Sequence, residues 1–277
     1  MKNLRVIIIF GLFIFCGVLW LAKENKVNKS KYVLISHTRL NDNSGIDSIV
    51  SKANLSKYSV KMLGGDMANL SSYNDSILNY LNVIFNISNK STLWALGNHG
   101  YSNVDLVKKY TKRKTYYAYT HQSTLFVVLD TQIDSSNILG NQLVFFDSII
   151  NVSNSSQNII ILTHKLIWMR DNDILDAKIN FVSNGHKGNC SYCVQKNNFY
   201  KDIYPKLINL KKQGKNVFCV AGDIGFNVKK IEHITKEGIV YLASGIKANQ
   251  SDNYFLEFTQ SEKQNKITYE FKQLKDL

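Results

Sequence analysis

Six residues in this chain are of types that bind metal ions or move protons, and each follows closely on a short apolar run. His37 comes after Val33-Leu34-Ile35-Ser36, and Asp66 after Met62-Leu63-Gly64-Gly65. Asn98 and His99 come after Trp94-Ala95-Leu96-Gly97, His164 after Ile160-Ile161-Leu162-Thr163, and Asp223 after Phe218-Cys219-Val220-Ala221-Gly222. Imidazole nitrogens and carboxylate or amide oxygens are the ordinary donors to divalent ions. A histidine titrating near neutrality also transfers protons. Any one of these residues alone has a plain structural explanation, an Asp capping a helix or a His satisfied in a core. Recurrence at the ends of five apolar runs, with glycine beside three of them, weakens that explanation. Glycine lets the backbone turn tightly under a bound ion.

The runs that must position these residues read as buried strands: Tyr32–Ser36, Val60–Leu63, Thr92–Leu96, Leu125–Leu129, Ile159–Leu162 and Val217–Ala221. Between them Ile46–Leu55, Ser76–Phe85, Asn141–Ile150 and Tyr204–Lys212 carry helical periodicity, the last with Pro205 near its start. Alternation of this kind predicts an α/β sandwich. After Gly238 the pattern becomes strands without helices, Ile239–Ala243, Tyr254–Phe258 and Ile267–Phe271, as a closing sheet would show. In open α/β sheets the groups at the carboxyl ends of strands converge on a ligand crevice, so the six residues are expected to share one pocket.

Gly64-Gly65-Asp66, then Gly97-Asn98-His99 one strand-helix-strand step later, then Thr163-His164 after a further strand, resembles the calcineurin-like metallophosphoesterases; Leu129-Asp130-Thr131 supports the likeness. The resemblance covers residues 32–272. It implies a four-layer α/β/β/α fold and hydrolysis of phosphate esters at two metals. By that likeness Asp66 bridges the metals, Asn98 and His164 bind the second metal, and His99 protonates or steadies the leaving oxygen.

Two motifs depart from the family pattern. Where its members open with Asp-x-His, this chain has His37-Thr38-Arg39, and where they end with Gly-His-x-His it has Gly222-Asp223-Ile224-Gly225. A guanidinium has no lone pair for a metal, and Gly225 has no side chain. The first metal site then keeps only His37 and the shared Asp66. The second keeps Asp66, Asn98, His164 and Asp223, a donor set for one divalent ion (Mn, Mg, Fe or Zn), with its oxygens favouring Mn²⁺ or Mg²⁺. Arg39 is expected to replace the missing cation by clamping a phosphate oxygen. The other outcome open to these changes is a pocket that binds without turning over. Asp130, His121, Trp168 and the Tyr116-Tyr117-Tyr119 cluster are further candidates to line the pocket, with packing as their alternative role.

The chain has 277 residues, 44% hydrophobic and 20% charged, enough for one sizeable core. Val6–Ala22 is an unbroken apolar or small-residue run behind Lys2 and Arg5, so residues 1–22 are expected to form a signal-anchor or transmembrane segment. No small-x-small pair ends it, which favours retention over cleavage. Residues 23–31 then form a polar tether, and 32–277 one phosphoesterase domain, expected outside the cytoplasm. The formal charge of +13 falls to +8 once residues 1–31 are set aside. A phosphorylated small molecule, glycan or lipid suits that surface, but general lysine richness gives the same number, and nucleic acid is not expected. No P-loop or dinucleotide fingerprint occurs, so NTP-driven and redox chemistry have no support. Cys190-Ser191-Tyr192-Cys193 reads as a local disulfide, Cys219 as a core thiol, and Lys108–Lys114 as a solvated helix end.

Overall fold

A computed structural model describes residues 29–40, 45–261 and 266–277. The expected anchor and most of the expected tether lie outside these residues. Among the described residues, no helix is long and apolar enough to cross a membrane.

Two sheets stack face to face. The first orders its strands β11 (Lys266–Gln273), β10 (Tyr254–Ser261), β1 (Lys29–Ile35), β2 (Val60–Leu63) and β3 (Thr92–Trp94). The second runs β4 (Tyr117–His121), β5 (Thr124–Val128), β6 (Asn158–Thr163), β7 (Asn216–Ala221), β9 (Val240–Ser244) and β8 (Lys230–Ile234). β1, β2 and β3 are parallel, as are β5, β6, β7 and β9.

Side chains alternate across each strand, and both faces are covered, which is why these strands read as continuous apolar runs. Tyr32 and Leu34 of β1, and Ile160 and Leu162 of β6, pack between the sheets. Val33 and Ile35 face outward onto α1 (Ser48–Lys52), α2 (Asp75–Phe85) and α3 (Val104–Thr111). Ile159 and Ile161 face outward onto α4 (Gly140–Asn151), α5 (Ile179–Val182) and α6 (Tyr204–Lys212). The result is the expected four-layer α/β/β/α sandwich. Helix ends follow local chemistry: in α2, Asn74 accepts the Ile77 N–H at one end and Asn86 turns left-handed at the other, while Leu78, Leu81 and Phe85 are buried.

The structure corrects several local readings. β1 opens at Lys29, three residues before the expected strand. The expected helix over Ile46–Leu55 is only α1, because Ala53 is extended, and a 3₁₀ turn, Leu55–Lys57, follows. The closing strands do not form one sheet: β9 joins the second, whereas β10 and β11 join the first. Arg113 is not solvated with its lysine neighbours. Its guanidinium donates to the carbonyls of Thr92 and Ile87, both at 2.8 Å, and lies over Tyr117. The Cys190–Cys193 disulfide and the buried Cys219 thiol match expectation.

Glu257 of β10 is a buried carboxylate, 5% exposed, accepting from Lys272 Nζ at 2.7 Å and Lys31 Nζ at 3.1 Å. Burial pushes its pKa up, but the lysine hydrogen bonds outweigh burial and hold it below the ordinary value. Its contribution to stability is therefore complete above the unfolded carboxylate range and lost as pH falls through the lower folded value. Glu257→Gln is expected to cost about 1 kcal/mol at pH 7, the lysine ends being solvent-screened. Thermal melts should place the variant about 3 °C below the parent at neutral pH. The gap should narrow as pH falls below the ordinary carboxylate range, and an equal gap at neutral and acid pH would reject the ion pair as its cause.

Candidate metal centre

The first sheet delivers His37 after β1, Asp66 after β2, and Asn98 and His99 after β3. The second delivers His164 after β6 and Asp223 after β7. The two sets meet because the sheets touch backbone to backbone at Gly64 and Gly222: a Cβ on Gly222 would stand 2.7 Å from the Gly64 Cα. Only glycines permit that approach. Across the same seam His164 Nδ1 donates to the Gly64 carbonyl at 2.7 Å, and the His164 carbonyl accepts from the Gly222 and Asp223 N–H groups at 3.1 and 2.9 Å.

A carbonyl only accepts, so Nδ1 carries a hydrogen, and Nε2 is the ring nitrogen left to meet a metal through its lone pair. Nε2 is buried without a hydrogen-bond partner and stands 3.8 Å from both Asp66 Oδ1 and Asp223 Oδ1. The Nδ1–carbonyl bond is the supporting contact that orients metal-binding histidines. Space for this convergence comes from Gly97, where a Cβ would lie 2.7 Å from His164 Cε1 and 2.8 Å from Asp66 Cγ. Asp66 and His37 both adopt left-handed backbone, φ 52° and 58°, a conformation costing of order 1–3 kcal/mol that proteins retain mainly at functional sites.

The donor types fit a divalent ion; the spacing is open. Ligands of one tetrahedral ion with bonds of about 2.1 Å lie about 3.4 Å apart. The 3.8 Å separations exceed this, and no group of three or more His, Cys, Asp or Glu side chains among the described residues is closed tightly enough to hold a metal as it stands. The two carboxylates oppose each other electrostatically. Burial pushes Asp223 up to about 6; the Asp66 charge adds to the shift, while His164 and Lys165 oppose it. Burial also raises Asp66, but His164, His37, His99 and the His99 N–H, donated to Asp66 Oδ1 at 3.1 Å, outweigh it and leave Asp66 below its ordinary value. A divalent charge would relieve the repulsion and draw the pair inward.

On the first-sheet side, His37 Nδ1 donates to the Ile246 carbonyl at 3.0 Å, and its ring packs T-shaped against Phe226. Burial lowers its pKa to about 4 against the pull of Asp66, and Arg39 lowers it further. Asn98 and His99 are half-buried in a 3₁₀ turn, Asn98–Gly100. Burial lowers His99 as well, with Arg39 adding to the effect. The Arg39 guanidinium lies over the Phe226 ring, in a cleft that His37 also lines, and among the described residues it forms no ion pair with Asp66 or Asp223. His37, His99 and Asp223 each interact electrostatically with Asp66 and with His164, and Asn98 adjoins His99 in the chain.

Other candidates fall elsewhere. Asp130 accepts from the Tyr101 hydroxyl and the Gln132 N–H. His121 ends β4 beside Tyr32, Tyr117 receives the Trp94 N–H, and Trp168 stacks on Tyr241 in the core. Lys165 escaped the sequence reading. It is 1% exposed, donates to Ser136 Oγ at 3.1 Å, and has its pKa lowered by burial to about 8 despite the pull of Asp223 and Asp130. A lysine between Ile159–Leu162 and Leu166–Met169 was the available signal, since lysine is almost never fully buried unless paired.

No protein-family model matches the chain, and no curated protein does. Solved structures match by shape. A dimetal phosphatase from Danio rerio superposes with a TM-score of 0.58 at 10% identity, covering 88% of this chain and 96% of that one. The Haemophilus influenzae NAD nucleotidase and a Thermus thermophilus 5'-nucleotidase precursor follow at TM-scores of 0.43, with 12% and 11% identity. They share 89% and 88% of this chain but only 49% and 54% of their own lengths. The chain has the calcineurin-like metallophosphoesterase fold.

Proposed function

We propose that this protein is a membrane-anchored, metal-dependent phosphoesterase. The observation that carries the reading is the fully buried His164 Nε2, without a hydrogen-bond partner and 3.8 Å from each of two carboxylates. Asp66, Asn98, His164 and Asp223 are the residues that would hold a divalent ion, with His37 beside them. Such an ion supplies polarisation of a phosphoryl oxygen and a water activated for attack. Asp66 is held in place by the His99 N–H, and the His99 ring, beside a bound phosphate anion, would keep its proton for the leaving oxygen. Arg39 contributes a permanent positive charge on the His37–His99 side, opposite phosphate oxygens that gain charge as the ester breaks.

The reading is tested by measuring metal content and turnover of p-nitrophenyl phosphate and bis(p-nitrophenyl) phosphate. Turnover should vanish on chelation and return with Mn²⁺ or another divalent ion. Metal uptake with neither ester turned over would instead favour a binding protein for a phosphorylated envelope glycan or a protein partner. The wide 3.8 Å spacings and the lost motif residues are what keep that second reading in view. Anchoring rests on the Val6–Ala22 run, and an extracytoplasmic domain follows as part of the same proposal. The full chain should sediment with membranes, and a chain starting at Lys29 should not.

A further inference from the structure

Beside the carboxylates, on the first-sheet side, lies a separate cleft of about 160 Å³ whose lining includes His37, Arg39, Phe226, Lys247 and Asn249. It bears two cationic side chains and, among its lining residues, no carboxylate. Arg39 has a buried Nε without a hydrogen-bond partner, and among the described residues it forms no ion pair; its contact is with the Phe226 ring, 5.7 Å from guanidinium carbon to centroid. A partly buried guanidinium in that condition is expensive unless an anion meets it. Lys247 likewise has no acidic partner within ion-pair distance among the described residues, although its backbone is fixed by two hydrogen bonds to the Asn253 side chain. Asp47, bonded to the Asn249 N–H of the cleft lining, also accepts the Ile49 and Val50 N–H groups, so its charge is directed at backbone rather than at the cleft.

Phe226 supplies the third element. Its ring packs T-shaped against His37 at 4.8 Å and carries Arg39 over it, giving the cleft an apolar wall beside its cations. Its N–H is tied to Asn184 Oδ1 at 2.9 Å, which anchors that wall to the second sheet.

We infer that this cleft is a subsite for a second anionic group on the substrate, so that the protein takes phosphate esters whose leaving portion carries a carboxylate or another phosphate on a planar or apolar spacer. The inference rests on the phosphoesterase reading for the reacting phosphate and adds to it the character of the leaving portion. Arg39 is shared between the two anions; Lys247 reads only the second.

Two pairs of probes test it. Phenyl phosphate and 4-carboxyphenyl phosphate differ only by a carboxylate on the leaving group, and phenylphosphonate and 4-carboxyphenylphosphonate are their non-hydrolysable counterparts. The intact protein is expected to prefer 4-carboxyphenyl phosphate by about tenfold in kcat/KM, the range one charge-assisted contact supplies. Lys247→Ala should erase the preference, through KM, while leaving phenyl phosphate turnover unchanged, and Lys247→Glu should reverse it. Turnover of phenyl phosphate with no preference, or a preference that survives Lys247→Ala, overturns the subsite and leaves the phosphoesterase reading standing. If neither ester is turned over, the phosphoesterase reading fails and calorimetry with the phosphonates decides the subsite alone. Tighter binding of the carboxylated phosphonate that is lost in Lys247→Ala supports it; equal binding of the two rejects it.

Discussion

Asp66→Asn should strip the protein of metal and lower phosphate ester turnover by at least about a thousandfold, roughly 4 kcal/mol of transition-state stabilisation. Asparagine is the informative replacement. It keeps the size of aspartate, can still accept the His99 N–H, and tolerates the left-handed backbone that Asp66 adopts at φ 52°. What it removes is the negative charge shared among His37, His99 and His164. Folding should therefore survive while the affinity for a divalent ion collapses, and elemental analysis beside a thermal melt separates the two. An Asp66→Asn protein that keeps its metal stoichiometry would remove the basis for the whole centre.

Gly222→Ala should be nearly as damaging by a different route. The added Cβ would stand 2.7 Å from the Gly64 Cα and press on the Gly64 carbonyl. Neither backbone is free to move aside, because Gly222 N–H donates to His164 at 3.1 Å and Gly64 N–H to Ile35 at 2.9 Å. Overpacking against fixed backbone costs about 3 kcal/mol or more, which corresponds to a fall of roughly 10 °C in melting temperature. Gly214→Ala is the comparison: its φ of 81° carries strain, but a Cβ there meets nothing within 4 Å. A Gly222→Ala melt no lower than that of Gly214→Ala would show that the sheets can separate at this point without penalty.

The parallel strands and the residues at their ends were legible in the sequence because both strand faces are buried, which compels continuous apolar runs followed by an abrupt polar turn. Edge strands lack that compulsion. Lys230–Ile234 alternates exposed and half-buried positions, and Tyr117–His121 is half-buried for most of its length, so each looked like a polar connection or an aromatic cluster rather than a strand. The candidate residues at the strand ends were legible by type and position. Their partners were not: the Gly64 carbonyl that accepts from His164 Nδ1 is 100 residues away in the chain, and no local spacing encodes that meeting. For the same reason the cleft at Arg39 was invisible, since Phe226 and Lys247 come from distant loops with no motif of their own.

The seam at Gly64 and Gly222 also makes occupancy a mechanical matter. Asp66 belongs to one layer and Asp223 to the other, so any cation gripped by both acts as a rivet through the sandwich. On the proposed reading, loading and cohesion would be one equilibrium, and an agent that withdrew the ion would loosen the bond between the halves of the molecule as it stopped turnover.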